Sequence, residues 1–250
     1  MRYRARVSYD GTEFAGFQFQ PGFRTVQGAL EEALSRVAGP GRCRVEGAGR
    51  TDAGVHASGQ VVSFVYPGRL SRARLARSLD ALLPRDVALG PLERVDPGFS
   101  VRREAVQRQY RYTVWNGPRD PLRERFALGV RTPLDDRAME EAAQTIVGRR
   151  DFSAFGGHHR QPIRTLHALR VRRQGRTVTI DVIGDAFLRQ MVRSIVAALL
   201  RVGRGEVTGT EFQAALQAPT RAFAGEVAPA AGLCLRRVTY PATGRKRNGA

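Results

Sequence analysis

Read for hydrophobic period alone, the chain alternates between a two-residue and a helical repeat in an order that admits few folds. "RYRARVSY" (Arg2 to Tyr9) alternates, placing Tyr3, Ala5, Val7 and Tyr9 on one face of a half-buried strand with basic residues on the other. "TVQGALEEALSRVAG" then shifts to helical spacing at Val26, Leu30, Ala33, Leu34 and Val37, with Thr25 as N-cap and Gly39 and Pro40 as the stop. "CRVEGAG" and "GQVVSFVYP" read as strands, "SRARLARSLDALLP" as a Ser71-capped helix with Leu75, Leu79, Leu82 and Leu83 on one side, and "DVALGPLERVD" as a strand. Strand, helix, strand, strand, helix, strand is the βαββαβ, ferredoxin-like pattern.

The plan then recurs. "VQRQYRYTVWN" is a strand with Tyr110, Tyr112 and Val114 on one face, "DDRAMEEAAQTIVG" a helix, and "RTLHALRVRRQG" with "RTVTIDVIGDAF" a hairpin; "LRQMVRSIVAALLRVG" is a long helix and "GLCLRRVTYP" a closing strand. No residue-level repeat accompanies the recurrence. The expectation is an α+β fold of two ferredoxin-like halves, near residues 1–105 and 106–250, whose antiparallel sheets join, with a disordered basic tail from about residue 242.

Charge narrows the partner. Lysine and arginine number 41 against 23 acidic residues, a formal charge of +18, and only Lys246 is a lysine. Such an excess attracts polyanions, and guanidinium forks match phosphate oxygens and stack on bases. No basic amphipathic anchor points to a membrane surface instead, so nucleic acid is the expected partner. "IVAALL" is too short to span a bilayer and the N-terminus has no signal-peptide core, which points to a cytoplasmic protein. Cys43 and Cys234 stand in unrelated contexts, and the adjacent His158 and His159 lack further ligands at a useful spacing, so no metal is expected and the histidines read as a polar loop.

The stretch "EGAGRTDAGVHASGQ", Glu46 to Gln60, sets Arg50, Asp52 and His56 among glycines and alanines. A dinucleotide loop is a poor fit, because the glycines lead into a strand and an aspartate would repel phosphate. A structural turn, with Asp52 accepting backbone N–H bonds, and a catalytic carboxylate presented from a rigid sheet both remain.

"GAGRTDAGVHASGQVVSF" resembles the catalytic motif of the tRNA pseudouridine synthase A family, in which the aspartate of G-R-T-D-x-G-V-H is essential; here that residue is Asp52. "YDGTEFAGFQFQP", "TVQGALEEAL", "RQYRYTVWN", "FLRQMVRSIV" and "GLCLRRVTYP" are similar to further family segments, so the resemblance runs nearly full length. Phe17 departs from a common tryptophan, and "FSAFGGHHRQPIRTL" lacks a cysteine often found there. The resemblance implies two ferredoxin-like halves around a basic central cleft and isomerisation of uridine to pseudouridine in the tRNA anticodon stem-loop, at positions 38 to 40, by a homodimer without cofactor or metal. It implies that Asp52 attacks C1′ or deprotonates C2′, that Arg193 is its guanidinium partner, and that Tyr110 stacks on the base and helps remove the C5 proton. Arg50 would replace or grip the extracted nucleotide, Phe187 and Leu233 would wall the base pocket, and Arg164 would contact RNA. His56 is a loop strut or an RNA contact. The rival from another class is a non-catalytic RNA-binding module, against which stands the absence of an RNP-type K/R-G-F-x-F-V-x-F stretch.

Overall fold

The computed structural model describes residues 1–39, 43–156, 161–214, 223 and 226–241. Its elements run β1 (Arg2–Tyr9), α1 (Val26–Ala38), β2 (Val45–Gly47), β3 (His56–Val65), α2 (Arg72–Leu82), β4 (Val87–Arg94), β5 (Gln107–Asn116), β6 (Leu128–Val130), α3 (Asp136–Thr145), β7 (Gly148–Asp151), β8 (Ile163–Gln174), β9 (Thr177–Gly184), α4 (Met191–Gly203), α5 (Gly209–Ala214) and β10 (Leu233–Thr239). His158, His159 and the tail from residue 242 lie outside the described residues.

All ten strands form one mostly antiparallel sheet in the order β4-β1-β3-β10-β5-β9-β8-β7, with β2 also on β3 and β6 also on β5. The first half of the chain therefore contributes β4-β1-β3-β2 and the second β10-β5-β9-β8-β7, with β6 beside β5. They meet where β10 pairs in parallel with β3 through Cys234 against His56 and Leu235 against Ala57. Backbone pairing thus carries rigidity from the strand after the Asp52 loop to the strand bearing Tyr110, since β10 also pairs with β5.

Register explains which side carries the site. Tyr9, Ala57, Leu235, Tyr110, Val182 and Leu169 lie opposite one another in succession across six strands, and all six are buried. Because side chains alternate along a strand, this row and its neighbours form a continuous apolar face. The next row, His56, Cys234, Arg111, Asp181 and Arg170, points to the other face. There the Arg111 guanidinium makes a two-point contact with Asp181, both distances 2.8 Å.

The helices begin where side chains satisfy their free N–H groups. Thr25, Ser71 and Asp135 accept from Gly28, Arg74 and Ala138 respectively, the usual role of Thr, Ser and Asp at an N-cap. Two expectations need correction. Only Leu75 and Leu79 of α2 are buried; Leu82, 38% exposed, lines an external groove, whereas Leu83 at the C-cap is half-buried against the core. The helix expected from Leu188 starts at Met191, since Gln190 occupies the left-handed region with φ 61° and breaks the helical path.

Candidate active site

The Asp52 loop hangs between β2 and β3, and polar contacts hold it from below. Ala48 N donates to Val61 O at 2.8 Å, Phe17 N to Thr51 O at 3.0 Å and Gly54 N to Phe14 O at 3.2 Å. Gln60 Nε2 donates to Gly49 O at 2.8 Å, and the Tyr9 and Thr51 hydroxyls share a buried 2.8 Å hydrogen bond. Each satisfies a polar group that would be costly to leave buried and unpaired.

Most of the loop's glycines serve internal packing. A Cβ on Gly47 would meet the Phe17 ring at 2.5 Å, and one on Gly59 would meet Arg236 O on β10 at 2.1 Å. Gly54 has φ +75°, a conformation that favours glycine. Gly49 alone among the four has room: a Cβ there finds nothing nearer than the Tyr110 hydroxyl at 3.8 Å. Phe17, the departure from the family's tryptophan, is thus the lid over Gly47.

Asp52 faces α4. Its Oδ2 lies 3.3 Å from Nη1 of Arg193, with side-chain exposures of 35% and 14%. Arg193 spends a second nitrogen elsewhere: its Nε donates to Ala228 O at 2.7 Å, while Ala228 N returns a 3.1 Å bond to Arg193 O. Asp52 is therefore gripped at one point rather than by a fork. The left-handed Gln190 immediately precedes the turn that carries Arg193, and such a conformation costs a non-glycine residue roughly 1–2 kcal/mol.

Tyr110 lies behind the pair. It is 8% exposed and meets the half-buried Phe187 edge-on, ring centroids 5.2 Å apart at 87°. Burial pushes its phenol up to about 12, the nearby Arg108 charge opposes that rise and the Asp52 charge adds to it. Leu233 is buried at the head of β10, opposite Tyr112. Arg50 is exposed, and among the described residues it has no hydrogen-bond or ion-pair partner. Arg164, at the start of β8, bonds the carbonyls of Gln161 and Ile163, and no contact joins it to Asp52.

His56 has the geometry of a strut. It is 4% exposed, its Nδ1 accepts from Gly11 N at 3.0 Å, and Nε2 lies 3.2 Å from Ala231 O. Asp10 Oδ1 also stands 3.1 Å from Nδ1, so that nitrogen faces a backbone N–H and a carboxylate together. Phe126 packs against the ring at 4.9 Å, and the adjacent Arg125 binds Asp10 at 2.6 Å, so the excursion between β5 and β6 closes over this face.

Sequence reading missed Arg108, Gln60 and Thr51. Arg108 shares the parity of Tyr110, Tyr112 and Val114 on β5, which marks it as inward-facing. Gln60 carries no comparable signal, since strand polar residues ordinarily face water, and Thr51 is a loop residue with no period to read. Among the described residues no group of three or more His, Cys, Asp or Glu is placed to hold a metal ion, and no helix is long and apolar enough to cross a membrane. A groove of about 750 Å³, lined by Phe19, Phe23, Arg24 and Leu82 among others, shares no residue with the Asp52 group.

One carboxylate, one guanidinium and one buried phenol on a rigid sheet suit chemistry that needs a single ionised carboxylate without a second acid. Comparison with known proteins gives the class its name. A family model described as tRNA pseudouridine synthase matches residues 5–102 and 142–241, and this chain belongs to that family, which isomerises uridine to pseudouridine in tRNA. It is 41% identical to the tRNA pseudouridine synthase A of Pelobacter propionicus over 94% of this chain and 97% of that one. The Brevibacillus brevis protein of the same name is also 41% identical, over 96% and 99% of the two chains, and that of Maridesulfovibrio salexigens 39%, over 97% and 92%. Among solved structures, the archaeal box H/ACA sRNP Nop10-Cbf5 complex aligns over 94% of this chain and 57% of that one at 12% identity and a TM-score of 0.32, too distant to bear on the site.

Proposed function

We propose that this protein converts uridine to pseudouridine in the anticodon stem-loop of tRNA, at positions 38 to 40, and that it works as a homodimer. The observation that carries the reading is the Asp52–Arg193 contact beside Tyr110, in a chain that matches the family along most of its length. In the reaction the N1–C1′ bond breaks, the uracil turns while still bound, C5 bonds to C1′, and the C5 proton leaves as N1 gains one. A glycosidase needs a second carboxylate to protonate a departing group. Here the leaving group is also the next nucleophile, so the lone Asp52 suffices, as nucleophile at C1′ or as base at C2′.

Arg193 holds the Asp52 carboxylate in place. Tyr110 stacks on the base and its hydroxyl helps take the C5 proton, with Phe187 and Leu233 as apolar walls. The exposed Arg50 fills the space of the extracted nucleotide, whose unstacking costs a few kcal/mol. Arg164, on the rim, grips phosphate. The two strand runs, β4-β1-β3-β2 and β10-β5-β9-β8-β7, support a division into ferredoxin-like halves near residue 105, with the RNA in the basic cleft between them.

Tritium release from tRNA labelled at uridine C5 tests the reading. Asp52→Asn is expected to abolish release while leaving tRNA affinity within about tenfold, because phosphate contacts dominate binding. Release by that variant at the wild-type rate, or tRNA binding by the wild type without any release, refutes the assignment.

A further inference from the structure

Arg108 is an arginine inside the sheet's apolar face, two residues before Tyr110 and on the same side of β5. It is 9% exposed. Its terminal nitrogens donate to four backbone carbonyls: Nη1 to Ala105 O at 2.9 Å and Asp185 O at 2.6 Å, Nη2 to Ala48 O at 3.0 Å and Arg102 O at 2.8 Å. The four belong to three segments. Ala48 opens the Asp52 loop, Asp185 opens the loop that carries Phe187 and leads to α4, and Arg102 with Ala105 forms the turn into β5.

We propose that Arg108 is a positioning residue for the reaction, one guanidinium that locks the Asp52 loop and the Phe187 loop to the strand carrying Tyr110 and sets a permanent positive charge beside that tyrosine. The inference rests on the reading of Asp52 and Tyr110 as the reacting groups.

Two features separate this from ordinary internal packing. The first is geometric. Four N–H bonds in one plane, aimed at carbonyls on different segments, require a rigid fork; an ammonium offers three donors from one point. The second is electrostatic. A buried charge is normally neutralised by a carboxylate, yet among the described residues Arg108 has none within ion-pair distance. The nearest candidate, Asp185, gives Arg108 its carbonyl, whereas its carboxylate accepts from Thr165 N and Ala186 N. The cation therefore keeps its field for its surroundings. Tyr110 lies within that field, which pulls the phenol down against burial and against the charge of Asp52. A base that must accept the C5 proton benefits from a neighbouring cation that does not move.

The full chain is tested as Arg108→Met and Arg108→Lys. Single-turnover tritium release reports chemistry, and tRNA binding reports affinity. A 3-fluorotyrosine placed at position 110, whose phenol titrates lower than tyrosine's, is read by fluorine resonance without RNA. The Met variant is expected to bind tRNA within about threefold of wild type, to lose at least about thirtyfold in single-turnover rate, and to titrate its fluorophenol at higher pH by about one unit. Lys should leave the titration almost unmoved, because the charge remains, and still lose about tenfold in rate, because the fork is gone. A folded Met variant with wild-type rate and an unmoved titration overturns the proposal. If Met does not fold, Lys decides alone: full rate overturns it. Absence of tritium release from the wild type would instead sink the functional reading, and the RNA-free titration would still decide whether Arg108 charges the environment of Tyr110.

Discussion

Replacing Arg193 probes the contact on which the catalytic reading turns. At 3.3 Å the Arg193–Asp52 attraction is about 1 kcal/mol in bulk water and about 5 kcal/mol at an effective dielectric of about 20. Asp52 keeps 35% of its side chain exposed, so solvent screens the pair and a value near 2 kcal/mol is appropriate. Arg193→Met also strips Ala228 O of its side-chain donor, a loss of about 1 kcal/mol. If both are expressed in the chemical step, the single-turnover rate falls roughly 30- to 150-fold. Arg193→Lys keeps a positive charge, but the nitrogens serving Asp52 and Ala228 are different atoms of one plane, and a single ammonium cannot occupy both places. It should lose about tenfold. Rapid-quench tritium release on saturating tRNA measures the rate, and filter binding confirms that affinity holds. A folded Met variant within about threefold of the wild-type rate would refute the argument, leaving Arg193 as an anchor for Ala228.

The glycines of the Asp52 loop make a paired test. Gly59→Ala sets a methyl 2.1 Å from Arg236 O and should destabilise by about 3 kcal/mol, whereas Gly49→Ala meets only ordinary contact and should leave stability unchanged or up to about 1 kcal/mol higher; equal urea midpoints for the two would mean that β3 and β10 are not so close. The charge of +18 predicts a steep loss of tRNA affinity with salt, about one power of ten per tenfold salt for each phosphate neutralised. A flat response in a salt titration would place the arginines away from the RNA.

The long elements were legible because each one's burial follows its own period. β1 buries Tyr3, Ala5, Val7 and Tyr9 as its alternation requires, and α1 buries Val26, Leu30, Ala33 and Leu34. What local pattern cannot contain is the partner of a strand. Nothing in "GLCLRRVTYP" says that β10, reached after α4 and α5, sits between β3 and β5, although Gly59, tight against Arg236, is the imprint of that pairing. The three-residue β2 and β6 are held by one neighbour each and carry too few residues for a period. The start of α4 was misread for another reason: "LRQM" has helical composition, and the left-handed Gln190 is imposed by the surrounding fold.

The site shows the same division at the level of single residues. The residues alone left Asp52 as a turn former or a catalytic carboxylate, because Asp and Gly are both ordinary turn residues, and it was the resemblance to a family motif that singled it out. The frame around it was hidden, since nothing local shows that Gly47, Gly54 and Gly59 are occupied by contacts or conformation within the chain. Arg108 was hidden differently. In a chain where arginine is abundant, one more on a strand reads as solvent face, and only its parity with Tyr110 contradicts that. The inference generalises within this molecule: an arginine that breaks the polar-out alternation of its strand has to find acceptors inside. On this sheet those acceptors are backbone carbonyls of the segments on which the candidate chemistry depends. On the proposed reading, the charge that recruits the substrate and the charge that organises the site are carried by the same residue type, told apart by which face of the strand it occupies.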